Sequence, residues 1–108
     1  FMYKESTSRR LTDAVFRNAG FAPSVLFETS STQTIATLVR SCICCGVIPY
    51  YYVQKHPEGI AAFALPGRPS WNIAVSYRKG GYVSQAAREF IRLASRYWSG
   101  FALTPLPQ

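Results

Sequence analysis

Two short stretches gather small hydroxyls where a strand-like run gives way to a helical one: Glu5, Ser6, Thr7, Ser8 and Arg9, then Glu28, Thr29, Ser30, Ser31 and Thr32. The first N–H groups of a helix lack intrahelical acceptors. A Ser or Thr there either caps the helix or joins the free amides in holding a carboxylate or phosphate. Arg9 or Arg10 would add a bidentate cationic grip. Residue types alone leave capping and capping with ligand contact both open.

A third stretch, SCICCGVIP at 41–49, carries thiols at Cys42, Cys44 and Cys45. Soft cations and oxidants are the partners of such a cluster. However, Cys44 and Cys45 point oppositely in extended chain, and no fourth Cys or nearby His completes a tetrahedral set. Cys42 continues the apolar spacing of Ile35, Leu38 and Val39, so it is expected to pack beneath that stripe, with the thiols structural and no metal site assigned. A thiol-based metal or redox sensor is the alternative.

Catalytic chemistry finds little support. His56 is the only histidine, in the polar run QKHPEG, and the five carboxylates, Glu5, Asp13, Glu28, Glu58 and Glu89, show no paired spacing. There is no phosphate-cradling glycine loop and no pair of CxxC knuckles. The expectation is a protein that is not an enzyme, with no catalytic residues and no cofactor.

Three helical patterns position these groups. The first runs from Ser8 or Arg9 to Ala19, with Leu11, Ala14, Val15 and Phe16 inward and Gly20 as a stop. The second spans Ser31 to Ser41. The third carries the apolar stripe Val83, Ala86, Ala87, Phe90, Ile91, Ala94, Tyr97 and Trp98, opened by Ser84 as N-cap and closed at Gly100. Between them lie strand-like runs: FMY at the start, VLF at 25–27, GVI at 46–48, IAAFAL at 60–65 and WNIAVSY at 71–77. The last alternates apolar and polar residues after a Pro66, Gly67 turn, which predicts an antiparallel return beside IAAFAL. The order predicts an α/β fold with a mixed sheet flanked by helices. In such sheets ligands collect beyond the carboxyl ends of the strands, so two neighbouring strands would open both hydroxyl turns on one edge.

Twelve Lys and Arg against five Asp and Glu give a formal charge of +7, which favours anionic partners without choosing among them. Arg88, Arg92 and Arg96 fall four apart, the spacing of a solvated face, and a nucleic-acid-binding groove ranks behind it. The longest uncharged run, Ser41 to Gln54, is about 14 residues, short of a membrane span. Three local cysteines make no disulfide framework, and a reducing, cytoplasmic setting fits them. The chain opens on Phe1 without a secretory signal pattern and reads as part of a longer protein.

The stretches RRLTDAVFRNAGFAPSVLFETSSTQTIATLVRSCICCGVIP and SYRKGGYVSQAAREFIRLA resemble the effector-binding domain of LysR-type transcriptional regulators. The match rests on order and spacing: an acidic helix position at Asp13, a G, any, any, P turn at Gly20–Pro23, the run VLFE, a helix to Val39, GVIP, and a later helix start at Ser84, Ala86, Ala87, Phe90 and Ile91. The joint after the second helix departs from the family, which has Gly where this chain has Cys42 and Cys44.

The resemblance implies a partial domain of the periplasmic-binding-protein-like (type II) fold. Residues 1–77 would form the second lobe. Residues 78–98 would be a crossover and a terminal helix belonging to the first lobe, and 99–108 a tail. It implies a small effector held between two lobes, with Ser6, Thr7, Ser8, Glu28, Thr29 and Ser30 as contacts; the two helix starts and Arg9 beside them make a carboxylate or other anion the expected ligand. It also implies a homodimer or tetramer through the outer face of the second helix, at Gln33, Ala36, Thr37 and Arg40. DNA would be met only through an N-terminal helix-turn-helix domain outside this chain, and no membrane is involved. A solute-binding protein of a transport system shares the lobe architecture and is the first rival.

Overall fold

The expected helices each begin where a serine side chain replaces a missing backbone acceptor. A computed structural model describes residues 1–100 of the chain. Four helices form among them: α1 (Thr7–Asn18), α2 (Thr32–Arg40), α3 (Tyr50–Lys55) and α4 (Gln85–Ser99). Ser6 Oγ accepts from the Arg9 N–H at 3.0 Å, Ser31 Oγ from Thr34 at 3.2 Å and Ser84 Oγ from Ala87 at 3.1 Å. Each cap residue keeps an extended backbone, so each helix starts sharply. The six-residue α3 was not expected. Its run YYYVQK is too short for a helical period to show, and Pro49 before it suits a helix start without announcing one. From residue 101 onward the tail expected over 99–108 lies outside the described residues.

α1 and α2 end with the same closure. After α1, Gly20 N–H donates to Arg17 O at 3.0 Å and Phe21 N–H to Phe16 O at 3.0 Å; after α2, Cys42 N–H donates to Val39 O at 2.9 Å and Ile43 N–H to Leu38 O at 3.1 Å. This bond pair requires a left-handed residue at its centre, and Gly20 and Cys42 supply it with φ of 69° and 56°. Cys42 is therefore turned out of the Ile35, Leu38, Val39 stripe and is exposed, which corrects its expected burial. The stripe's i+7 position falls after the helix has ended, where helical spacing no longer decides direction.

The expected mixed sheet is largely missing. Among the described residues the single β pairing is a parallel bridge between Met2 and Thr29. The runs 25–27, 46–48, 60–65 and 71–77 form no ladder. Strand-like alternation becomes a strand only when one face is covered and a neighbouring strand pairs with at least one edge. Here Phe63, Ile73, Val75 and Tyr77 stay exposed.

The described residues separate into one unit over Phe1–Trp71 and a second over 72–100. The first has a small core of Ile35, Ala36 and Val53, joined by buried Arg9 and Thr12. Ala36, expected on the outer face of α2, is 0% exposed. The physical reason is the chain beyond α3: Arg40, one turn after Ala36 on the same stripe, donates to Glu58 O at 2.9 Å and His56 O at 2.8 Å, so this segment lies along that face. The second unit is dominated by α4, which buries none of its residues. Arg88, Arg92 and Arg96 are exposed as their spacing implied, and Arg92 pairs with Glu89 at 2.8 Å.

Candidate functional site

The parallel bridge sets the two hydroxyl turns side by side. Thr29 N–H donates to Phe1 O at 3.2 Å, Tyr3 N–H donates to Thr29 O at 3.0 Å, and the Phe1 nitrogen donates to Phe27 O at 3.0 Å. Both segments run in the same direction and both lead into helix starts, so the turns at 5–9 and 28–32 emerge at one end of the pairing.

Arg9 fastens this arrangement from below. Its Nε donates to Asp13 Oδ1 at 2.9 Å and its Nη1 to Met2 O at 2.9 Å, with Glu28 Oε1 3.3 Å from Nη1. The guanidinium carbon stands 5.3 Å from the centre of the Phe1 ring. At 7% exposure the side chain is turned inward, where sequence reasoning had offered it as a ligand grip. The hydrogen bond that Arg9 donates to Asp13 is the main cause of a pKa raised above the ordinary arginine range, and the guanidinium is charged in any case. The spacing of Arg9 and Asp13, four apart on one helix, carried a signal for this pairing. Glu28 and the Met2 carbonyl, distant in sequence, carried none.

The remaining turn residues divide by task. Ser6 and Ser31 spend a hydroxyl lone pair on capping, and Thr29 Oγ1 accepts from the Ser31 N–H at 3.1 Å. Thr7 and Ser30 are exposed, Ser8 is half-buried, and Arg10 Nη2 lies 3.4 Å from Thr7 Oγ1. The two turns present small hydroxyls and the exposed Arg10 guanidinium beside an Arg9, Asp13, Glu28 cluster that sets one cation against two carboxylates.

On α2, Gln33 and Thr37 are exposed, with Thr37 Oγ1 donating to Gln33 O at 3.0 Å. Arg40 and Ala36 of the same expected interface face the segment after α3. Of the thiols, Cys42 and Cys45 are exposed and Cys44 is half-buried. Among the described residues no group of three or more His, Cys, Asp or Glu side chains is gathered to hold a metal, and no helix is long and apolar enough to cross a membrane. His56, outside the turns, is exposed at the end of α3 with its ring 4.8 Å from that of Tyr52.

The LysR substrate binding domain model matches residues 1–99. The uncharacterized HTH-type transcriptional regulator YwbI of Bacillus subtilis (strain 168) is similar, 30% identical over 93 residues that cover 83% of this chain. Those residues amount to 30% of that regulator, so the chain spans less than a third of the curated relative. No solved structure matches the chain. The family implies a periplasmic-binding-protein-like architecture, of which this chain displays the capped helices and one parallel pairing. With its helix order and turn spacing matched along nearly the whole chain, the protein belongs to the LysR substrate-binding domain family.

Proposed function

We propose that the chain is the effector-sensing part of a LysR-type transcriptional regulator, and that a small anion binds at the turns formed by Ser6, Thr7, Ser8 and Glu28, Thr29, Ser30. The observation that carries this reading is the parallel Met2–Thr29 bridge, which brings two helix starts and their free N–H groups to one end of the fold. Arg9 acts by holding the turns in register, and Arg10 supplies the exposed charge. The role is non-catalytic: the ligand favours one arrangement of the regulator over another, and that differential affinity alters DNA contacts made elsewhere in the full-length protein. The helix-turn-helix regulator among the relatives supports this over a transport role. Assembly into a homodimer or tetramer is proposed through α2, on the strip of Gln33 and Thr37, with Arg40 and Ala36 supporting it from inside.

The test is a titration of the full-length regulator with acetate, benzoate and inorganic phosphate, followed by amide chemical shifts. Signals of Thr7 to Arg10 and Thr29 to Thr32 are expected to move with the ligand that binds. Thr7→Ala and Ser30→Ala should each weaken it about fivefold, the scale of one lost hydrogen bond. Unchanged affinity in both variants removes the site.

A further inference from the structure

The thiols that sequence reasoning assigned to packing find another setting in the structure. An open depression of about 270 Å³ in the first unit is lined by Phe16, Phe21, Leu26, Leu38, Cys44 and Cys45 among others, with no charged side chain in its wall. Phe16 and Phe21 meet there with ring centres 5.8 Å apart. Cys42 is excluded from it: its left-handed backbone turns it away, and its Sγ lies 4.0 Å from Arg40 O. Cys44 and Cys45 are thus free cysteines among the residues that line an apolar bowl, distant in role from the polar turns.

A thiol is the softest nucleophile in a protein, and an apolar surface beside it selects soft, apolar reagents over charged ones. We infer that Cys44 and Cys45 form a covalent modification site for apolar electrophiles of the α,β-unsaturated carbonyl class, whose hydrocarbon part seats against Phe21, Leu26 and Leu38. In the step, a sulfur lone pair forms the carbon–sulfur bond at the β-carbon while the carbon–carbon π pair moves toward the carbonyl. The resulting enolate takes up a proton in place of the one the thiol has lost, so the addition needs no oxidant. Seating contributes by proximity, since the reacting carbon is held beside the sulfur.

The experiment compares N-phenylmaleimide with N-(2-hydroxyethyl)maleimide on the whole chain and on three variants that each retain one cysteine, the others being serine. The ratio of the two alkylation rates in the urea-unfolded chain gives the intrinsic preference. In the folded chain the ratio at Cys44 or Cys45 should exceed it by about tenfold, the gain expected for partly burying a phenyl ring. The ratio at Cys42 should equal it. Leu26→Gln, at a position already 62% exposed, should return the enhanced ratio to the unfolded value. If a single-cysteine variant loses helical circular dichroism, fragment-ion mapping of adducts on the unaltered chain reads the same three ratios. Equal ratios at all three cysteines, or an enhancement that survives Leu26→Gln, overturn the assignment.

Discussion

The ends of α1 and α2 carry the same pair of closing hydrogen bonds, yet the first places Gly20 at the left-handed position and the second Cys42. Around Gly20 a Cβ would meet nothing within 4 Å, so glycine serves there by conformation alone. The second joint has its glycine four residues later, at Gly46, where a Cβ would collide with Ile35 Cγ2 and fall 3.1 Å from Val39 Cγ2. There glycine serves by space. The hydrophobic partner of the closure differs in kind, an aromatic Phe21 with its ring centre 5.8 Å from that of Phe16 after α1 and an aliphatic Ile43 after α2, both of them more than half exposed. The α1 joint is relaxed and carries an aromatic contact; the α2 joint is strained at its turn and fitted closely against the helix a few residues on.

The sharpest way to break this contrast is to fill the space at Gly46. Gly46→Ala should destabilise the first unit by about 2 kcal/mol through overpacking against Ile35, measured by urea denaturation. Ile35→Leu removes the clashing Cγ2, so the double variant should recover part of the loss; strict additivity of the two effects would disconnect Gly46 from Ile35.

A smaller effect is expected at the relaxed joint. Gly20→Ala should cost about 1 kcal/mol, the penalty of a Cβ in left-handed backbone, although the site has room for it. A cost near that of Gly46→Ala would mean that space, not conformation, governs both joints.

The smallest effect has the opposite sign. Cys42→Gly relieves the same backbone strain and should raise stability by about 0.5 kcal/mol, since glycine's greater unfolded-state freedom offsets part of the gain. The denaturation midpoint should move up with an unchanged slope. A lower midpoint would show that the Cys42 side chain holds the turn.

Local chemistry made three of the four described helices legible. Ser84 and the hydroxyls at the other two starts act on amides three residues away, so capping needs no knowledge of the fold. Both hydroxyl turns were legible for the same reason. What escaped depended on distant chain. Ala36 looks solvent-facing by helical spacing, but the segment anchored by Arg40 to His56 and Glu58 covers it. Arg9 looks like a free cation until Glu28 and the Met2 carbonyl arrive from elsewhere in the sequence. The apolar runs at 60–65 and 71–77 had the right alternation, yet alternation declares which face wants cover and does not supply it. The Cys42 error came from extending a helical period past a left-handed residue.

The parallel pairing also orders events in time. The Phe1 nitrogen and Phe27 O are 26 residues apart, and α1 occupies much of the span between them. The caps and closure of α1 form within one turn of chain, whereas the pairing must wait until a loop closes, at an entropic cost that grows with the logarithm of loop length. A preformed α1 shortens that loop by replacing flexible residues with a rigid rod of about 1.5 Å per residue. The two hydroxyl turns therefore come into register after the helix that separates them, and they part first when the unit opens. The Tyr3 and Thr29 amides should accordingly exchange with solvent faster than the amides in the middle of α1.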